Sequence, residues 1–173
     1  MDSFEEQLTG GHPNSLGNTV VVVETVLSRP DLFEELFQCY FSKDAVVRLR
    51  VSNAMKRIAK MNKALLIPYI NRFLSEISAI DQASTQWTLA QLFLLLEKDM
   101  DNGQIQKAKN ILMHNLSYHK DWIVLNMTME TLGRWARTDE KLKSWLFPHL
   151  ERLRLDNRKS VAQKAKKLLE KMA

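Results

Sequence analysis

The strongest constraint on this chain is a spacing that recurs. In the stretch DAVVRLRVSNAMKRIA, from Asp44 to Ala59, Val47, Val51, Ala54 and Ile58 follow one another at intervals of 4, 3 and 4 residues. That rhythm belongs to one face of a helix, and the carboxylate of Asp44 is suited to cap its start. Shifted by 38 residues, the frame falls on Thr85, Leu89, Leu92 and Leu96. Shifted by 77 it falls on Val124, Thr128, Thr131 and Trp135, and by 114 on Val161, Ala165, Leu168 and Met172. A fixed period near 38 residues is the mark of an array of helical units. Each unit is too small to bury its apolar face without its neighbours. The spacing predicts a fold and says little about an activity.

Composition agrees with an all-helical chain. Five Gly and four Pro among 173 residues leave little material beyond short connections, and good helix formers dominate the rest. The run Val20–Val23 is β-branched and has the look of a strand, but no other candidate strand is present to pair with it. The single cysteine, Cys39, rules out an internal disulfide and any multi-cysteine zinc site. In its apolar setting, FEELFQCYF, it reads as a buried structural thiol, which fits a reducing cytoplasmic setting. The acidic, polar start does not resemble a signal peptide, and no apolar run reaches the roughly 18 residues that a membrane span needs. No membrane partner is expected.

The net charge of +5 is uneven. Residues 141–173 hold ten Lys and Arg against three acids, whereas the first 140 residues carry a net charge of −2. A basic terminal unit serves either as a patch for an anionic partner or as the polar outer face that the end of an array needs for solubility.

In chain order, residues 1–17 read as an irregular lead-in, with Gly10-Gly11-His12-Pro13 opposing regular structure. A helix over 18–28 follows, with Asn18 as its candidate cap, then a second from Pro30 to about residue 41. The frame helix comes next. Helix pairs are expected at 63–78 with 82–98, at 104–117 with 121–136, and at 139–154 with 157–172, with a turn at Asp101-Asn102-Gly103. That makes roughly nine helices in one domain over 18–173. Pro68 and Pro148 both fall inside first helices, in similar settings, and predict a tolerated kink in each.

These residues resemble a HEAT-repeat (armadillo-like) protein, whose unit is a helix with an internal proline, a turn, and a second helix opening Asp-x-x-Val-Arg. Asp44, Val47 and Arg48 match it in full. Asp121 and Val124 match with Leu125 in place of the arginine, and Asp156, Val161 and Ala162 match in a looser spacing. The unit at 82–98 departs most, with Thr85 and Gln86 at the Val-Arg positions. The resemblance implies an all-α, right-handed α-α superhelix, a solenoid of about four helix pairs. It also implies a partner-binding or scaffold role rather than a particular chemistry.

In such arrays the second helices line a concave surface. If the frame faces the core, residues on the opposite arc form rows across the array, at about 100° per residue. One row reads Leu49, Trp87, Asn126, Gln163; a second Ser52, Ala90, Met129, Lys166; and a third Asn53, Gln91, Glu130, Lys167. A fourth reads Lys56, Leu94, Gly133, Glu170, and a fifth Lys60, Lys98, Arg137. Trp87, Gln91, Asn126, Met129 and Glu130 are therefore the candidate contacts for a protein or peptide partner, since tryptophan and methionine suit adaptable apolar contacts. The alternative for Trp87 is a place in the core between units. Lys56, Lys60, Lys98, Arg137, Lys166 and Lys167 are the candidate contacts for an anion or nucleic acid. The alternative for Lys60, Lys98 and Arg137 is simple pairing with the dipole at their helix ends.

Motifs for catalysis are not apparent. The chain has no Gly-rich phosphate loop, no HExxH and no nucleophile elbow. The four histidines are followed by Pro13, Asn115, Lys120 and Leu150, so the His-Glu dyads of HEAT-repeat metal hydroxylases are missing. His114 and His119 do not share a helical face, and neither a metal nor a cofactor is expected. A HEAT-like alkylpurine DNA glycosylase is the enzyme to compare. Trp87, Trp122 and Trp135 supply aromatics and Asp81 and Asp121 carboxylates, but its catalytic motif cannot be matched residue by residue. The expectation is a non-enzymatic, cytoplasmic protein-binding module. A nucleic-acid-binding protein is the alternative, and an accessory or chaperone subunit a third reading.

Overall fold

The computed structural model describes residues 1–173. Ten α-helices form and no strand: α1 (Phe4–Leu8), α2 (Thr19–Ser28), α3 (Phe33–Gln38), α4 (Ala45–Asn62), α5 (Ile70–Ser75), α6 (Ala83–Leu95), α7 (Asn102–Tyr118), α8 (Trp122–Trp135), α9 (Glu140–Leu153) and α10 (Lys159–Met172). Short 3-10 turns extend α3, α5 and α6. Val20–Val23 lies in α2, which buries Val22, Val23 and Val26 and leaves Val20 and Val21 exposed.

The recurring frame is the core. Val47, Val51, Ala54 and Ile58 are fully buried on α4, and their equivalents are buried on and just past α6 and on α8, with Trp135 the least so at 8% exposed. On α10, Val161, Ala165 and Leu168 are buried and Met172 is half-buried. Helices α2, α4, α6, α8 and α10 pack successively side by side, while α7 packs on α8 and α9 on α10. This arrangement is compatible with a helical repeat.

Of the caps expected from the sequence, Asp44 and Asp121 form, whereas the Asn18 side chain makes no cap hydrogen bond to α2 and donates instead to Gln7 O. Asp44 Oδ1 accepts from Val46 N at 2.8 Å, and Asp121 Oδ1 accepts from Ile123 N and Val124 N at 2.9 and 3.0 Å. Asp101-Asn102-Gly103, expected as a turn, instead opens α7. Asp101 Oδ1 accepts from Gln104 N, and the Gln104 side chain accepts from Asp101 N, which closes a reciprocal capping box. Pro148 sits inside α9 as expected. Pro68 does not sit inside a helix. It lies in the 3-10 turn Ile67–Tyr69, where Leu66 N and Tyr69 N bond three residues back, and α5 begins only at Ile70.

Gln86, thirty-eight residues after Arg48, makes a contact equivalent to that arginine's. Arg48 Nη1 donates to Ser42 O at 2.6 Å, tying α4 to the turn before it. Thirty-eight residues on, Gln86 Nε2 donates to Ser78 O and Ile80 O at 3.0 and 2.9 Å, which ties α6 to its own preceding turn.

The lead-in is not irregular throughout. Ser3 and Glu6 form a capping box that starts α1, and Phe4 and Leu8 are buried against the body. The loop after it folds around Arg50. That residue is only 2% exposed, and its guanidinium donates to the backbone oxygens of Leu8, Gly10, His12 and Ser15. Gly17, at φ 52°, leaves the room: a Cβ there would stand 3.0 Å from the guanidinium carbon.

Candidate functional site

On α4 and α6 the outward stripes run where the frame places them. Leu49, Asn53 and Lys56 on α4, and Trp87, Gln91 and Leu94 on α6, are half-buried; Lys60 on α4 and Lys98 just past the end of α6 are exposed. Trp87 is neither core nor free. It lines a cavity of about 260 Å³ together with Leu49, Arg50 and Asn53 of α4 and with Pro13, Asn14, Ser15 and Leu16 of the lead-in. Asn53 is held in place through Oδ1, which accepts from Arg57 Nε at 2.6 Å.

On α8 the placement differs. Met129, expected on this face, is fully buried, and Asn126 is only 9% exposed. The neighbour α10 takes that side of the helix. Asn126 Nδ2 donates to Ser160 Oγ at 3.3 Å, and a Cβ on Gly133 would stand 2.8 Å from Leu168 Cδ2. The stripe that reaches solvent is Ile123, Met127, Glu130, Arg134 and Arg137. At about 100° per residue, α8 is rolled roughly 50° relative to α4 and α6. Ser52 and Ala90, of the same projected row as Met129, are buried as well.

Met127 therefore stands where Met129 and Asn126 were expected, and Gln91 Nε2 donates to its sulfur at 3.2 Å. Glu130 lies on the face but is already engaged: Arg134 Nε sits 3.1 Å from one carboxylate oxygen, and Lys164 Nζ bonds the other. The Lys164 hydrogen bond, reinforced by Arg134, holds the Glu130 carboxyl below the usual carboxylate range against the effect of burial. The contiguous half-buried surface is thus Leu49, Asn53, Trp87, Gln91 and Met127, bordered by the Glu130 ion pairs.

The candidate cations do not form one row. Lys98 and Arg137 line a common cavity of about 630 Å³ with Lys63, Glu97 and Arg134. Arg134 and Arg137 also line an adjoining recess of about 190 Å³ with Lys143 and Lys171. Lys56 and Lys60 border a separate cavity between α2 and α4, lined by Val20, Val23, Leu27 and Met61. Burial, together with Lys60 and Arg57 nearby, lowers the pKa of Lys56. Lys166 and Lys167 are exposed on α10 and line neither of the two basic cavities.

The tryptophans do not share a pocket. Trp122 is exposed at the start of α8 and Trp135 buried at its end, a separation of about 20 Å along the helix. Trp135 Nε1 donates to Glu97 Oε2 at 2.7 Å, and Asp121 is spent as a cap. The His114 ring lies tilted against that of Tyr118, centroids 4.9 Å apart, whereas His119 Nδ1 accepts from Asp121 N at 3.2 Å, so the two imidazoles make separate local contacts. No helix is long and apolar enough to cross a membrane.

Sequence reasoning missed Met127, Arg134, Lys143, Lys171 and the lead-in wall of the Trp87 cavity. The roll of α8 carries no local signature. The lead-in did offer one: three glycines at 10, 11 and 17 within eight residues, ahead of an arginine, Arg50, set directly beside the core position Val51. Comparison of the chain with models of protein families, with curated proteins and with solved structures gives no match.

Proposed function

We propose that this chain is a HEAT-like helical-repeat module of the solenoid type that binds a protein or peptide partner, without catalysis, on the face shared by α4, α6 and α8. The observation that carries the reading is the state of Trp87. It is a large, half-buried aromatic at the wall of a recess that Leu49 and Asn53 also line, one helical turn before Gln91, whose amide reaches Met127. A tryptophan anchored in this way exposes apolar area at low entropic cost, and such residues dominate interface energetics.

Affinity capture with the intact protein and its Trp87→Ala variant tests this. A protein retained by the wild type, then purified and titrated, should bind the variant more weakly by about thirtyfold, the equivalent of about 2 kcal/mol. The variant should keep its helical circular dichroism. Equal affinity of the two proteins for every such partner would reject the reading.

A second reading, nucleic-acid binding, draws support from the cavities that bring Lys98, Arg134, Arg137, Lys143 and Lys171 together. Phosphate contacts at that edge should weaken steeply with salt, and charge reversal at Arg137 should flatten the salt dependence. No binding of duplex or single-stranded DNA or RNA at low ionic strength removes it.

A further inference from the structure

Residues 9–18 are exposed throughout, so they carry almost no apolar anchor of their own. Hydrogen bonds within the loop run from Asn14 N to His12 Nδ1, from Ser15 N to His12 O, and from Gly17 N to Ser15 Oγ. The only hydrogen bonds that join residues 10–17 to an element other than flanking α2 come from Arg50, at 2.6 Å to Gly10 O and 3.2 Å to both His12 O and Ser15 O. A further bond of 2.7 Å holds Leu8 O, at the end of α1. No carboxylate pairs with this buried guanidinium, so the loop carbonyls supply its acceptors. The three positive-φ residues of the chain, Gly10, Gly11 and Gly17, all lie in this loop and turn those carbonyls inward. The loop, through Pro13 to Leu16, also forms part of the wall of the cavity that Arg50 and Trp87 line.

We propose that residues 10–17 are a gate over the Trp87 recess, latched by the Arg50 guanidinium, and that a partner gains full access to Trp87 only when this latch lets go. The proposal rests on the reading of Trp87 as a contact residue. The latch is strong and brittle for one reason. Four acceptors converge on a single planar cation, so loss of that group frees the whole loop, whereas helices α4 and α6 keep their cores. Lysine cannot replace it, because an ammonium lacks the fork that reaches four oxygens.

Hydrogen exchange and acrylamide quenching on the full chain test the gate without any partner. In Arg50→Met and Arg50→Lys, the hydrogen-bonded amides of Asn14, Ser15 and Gly17 should exchange at least about tenfold faster than in the wild type, with α4 and α6 unchanged. Gly17→Ala, which drives a Cβ to 3.0 Å from the guanidinium carbon, should do the same with Arg50 intact. Quenching of tryptophan fluorescence should increase in Arg50→Met, and the increase should vanish when Trp87→Phe is added. Unchanged exchange in the loop in all three variants overturns the gate, as does an equal rise across α4 and α6 in all three. Quenching that increases regardless of Trp87 overturns its link to the recess. A partner that binds Trp87→Ala at full strength would reject the partner face while leaving the exchange result standing. A partner that binds the wild type and Arg50→Met equally, yet depends on Trp87, would reject the gate and leave the partner face.

Discussion

Met129 and Met127 sit two residues apart on α8 and should respond to truncation in opposite ways. Met129 is fully buried, so Met129→Ala removes a side chain on the side of the helix that α10 covers. Truncation at such sites costs about 2–5 kcal/mol, because the lost burial is compounded by a cavity that closes only in part. Met127 is half-buried on the outward stripe and loses little: Met127→Ala should cost less than about 1 kcal/mol. In a chain of 173 residues each kcal/mol moves the melting midpoint by about 2–4 °C. Met129→Ala should therefore melt about 5–15 °C below the wild type, and Met127→Ala within about 3 °C of it. Parallel thermal melts by circular dichroism at neutral pH decide the matter. If the order is reversed, or if both variants melt together near the wild type, α8 is not rolled as described, and Met129 returns to the partner face.

Three further outcomes can be checked. Gln86→Ala should lower stability by about 2–4 kcal/mol in urea titration, since it strands two turn carbonyls and the Asn115 amide, which donates to Gln86 Oε1 at 2.9 Å. A loss under about 0.5 kcal/mol would show that Gln86 does not replace the arginine of the first unit. Acid should destabilise the fold through its depressed carboxylates. Glu34 is brought down to about 2 chiefly by the Tyr69 hydroxyl, and Asp156 to about 2 chiefly by Arg158; Asp139 is lowered by Lys109 and Glu130 by Lys164. Each folded value lies below the unfolded one. The stabilisation is therefore complete above the ordinary carboxylate range and lost as pH falls from about 4.5 towards 2. Burial and then Arg152 hold the His149 imidazole below its usual range, so a smaller loss sets in below about pH 6.5. The urea midpoint should fall much more steeply below pH 4; a midpoint that rises on acidification would contradict the assignment. Burial pushes the Cys39 thiol up to about 12, so a thiol reagent at pH 8 should label it only as the protein unfolds. Labelling of the native protein as fast as of a denatured control would mean that Cys39 is not in the core.

Burial across the repeats was legible because it depends on local rhythm. Val51, Leu89, Thr128 and Ala165 each stand at the same phase of a helical period, and that phase survives whatever the neighbours are. Caps at Asp44 and Asp121 were legible for the same reason, as one side chain meets backbone two or three residues away. Pro68 was not, since a proline tolerated in α9 and one that starts a 3-10 turn read alike without the packing around them.

The outward face is a different kind of quantity. It is whatever remains after every neighbour has taken its share, so it depends on contacts far apart in the chain. Asn126 meets Ser160, and Gly133 admits Leu168; those two contacts, across α8 and α10, turn Met129 inward and Met127 outward. Trp87 kept its place because α4 and α6 pack in the phase of the repeat, yet the wall of its recess comes from residues more than seventy positions earlier, drawn there by Arg50. Periodicity along the chain settles which residues a helix must bury. Only the docking of α10 and of the lead-in decides which of the others a partner can touch.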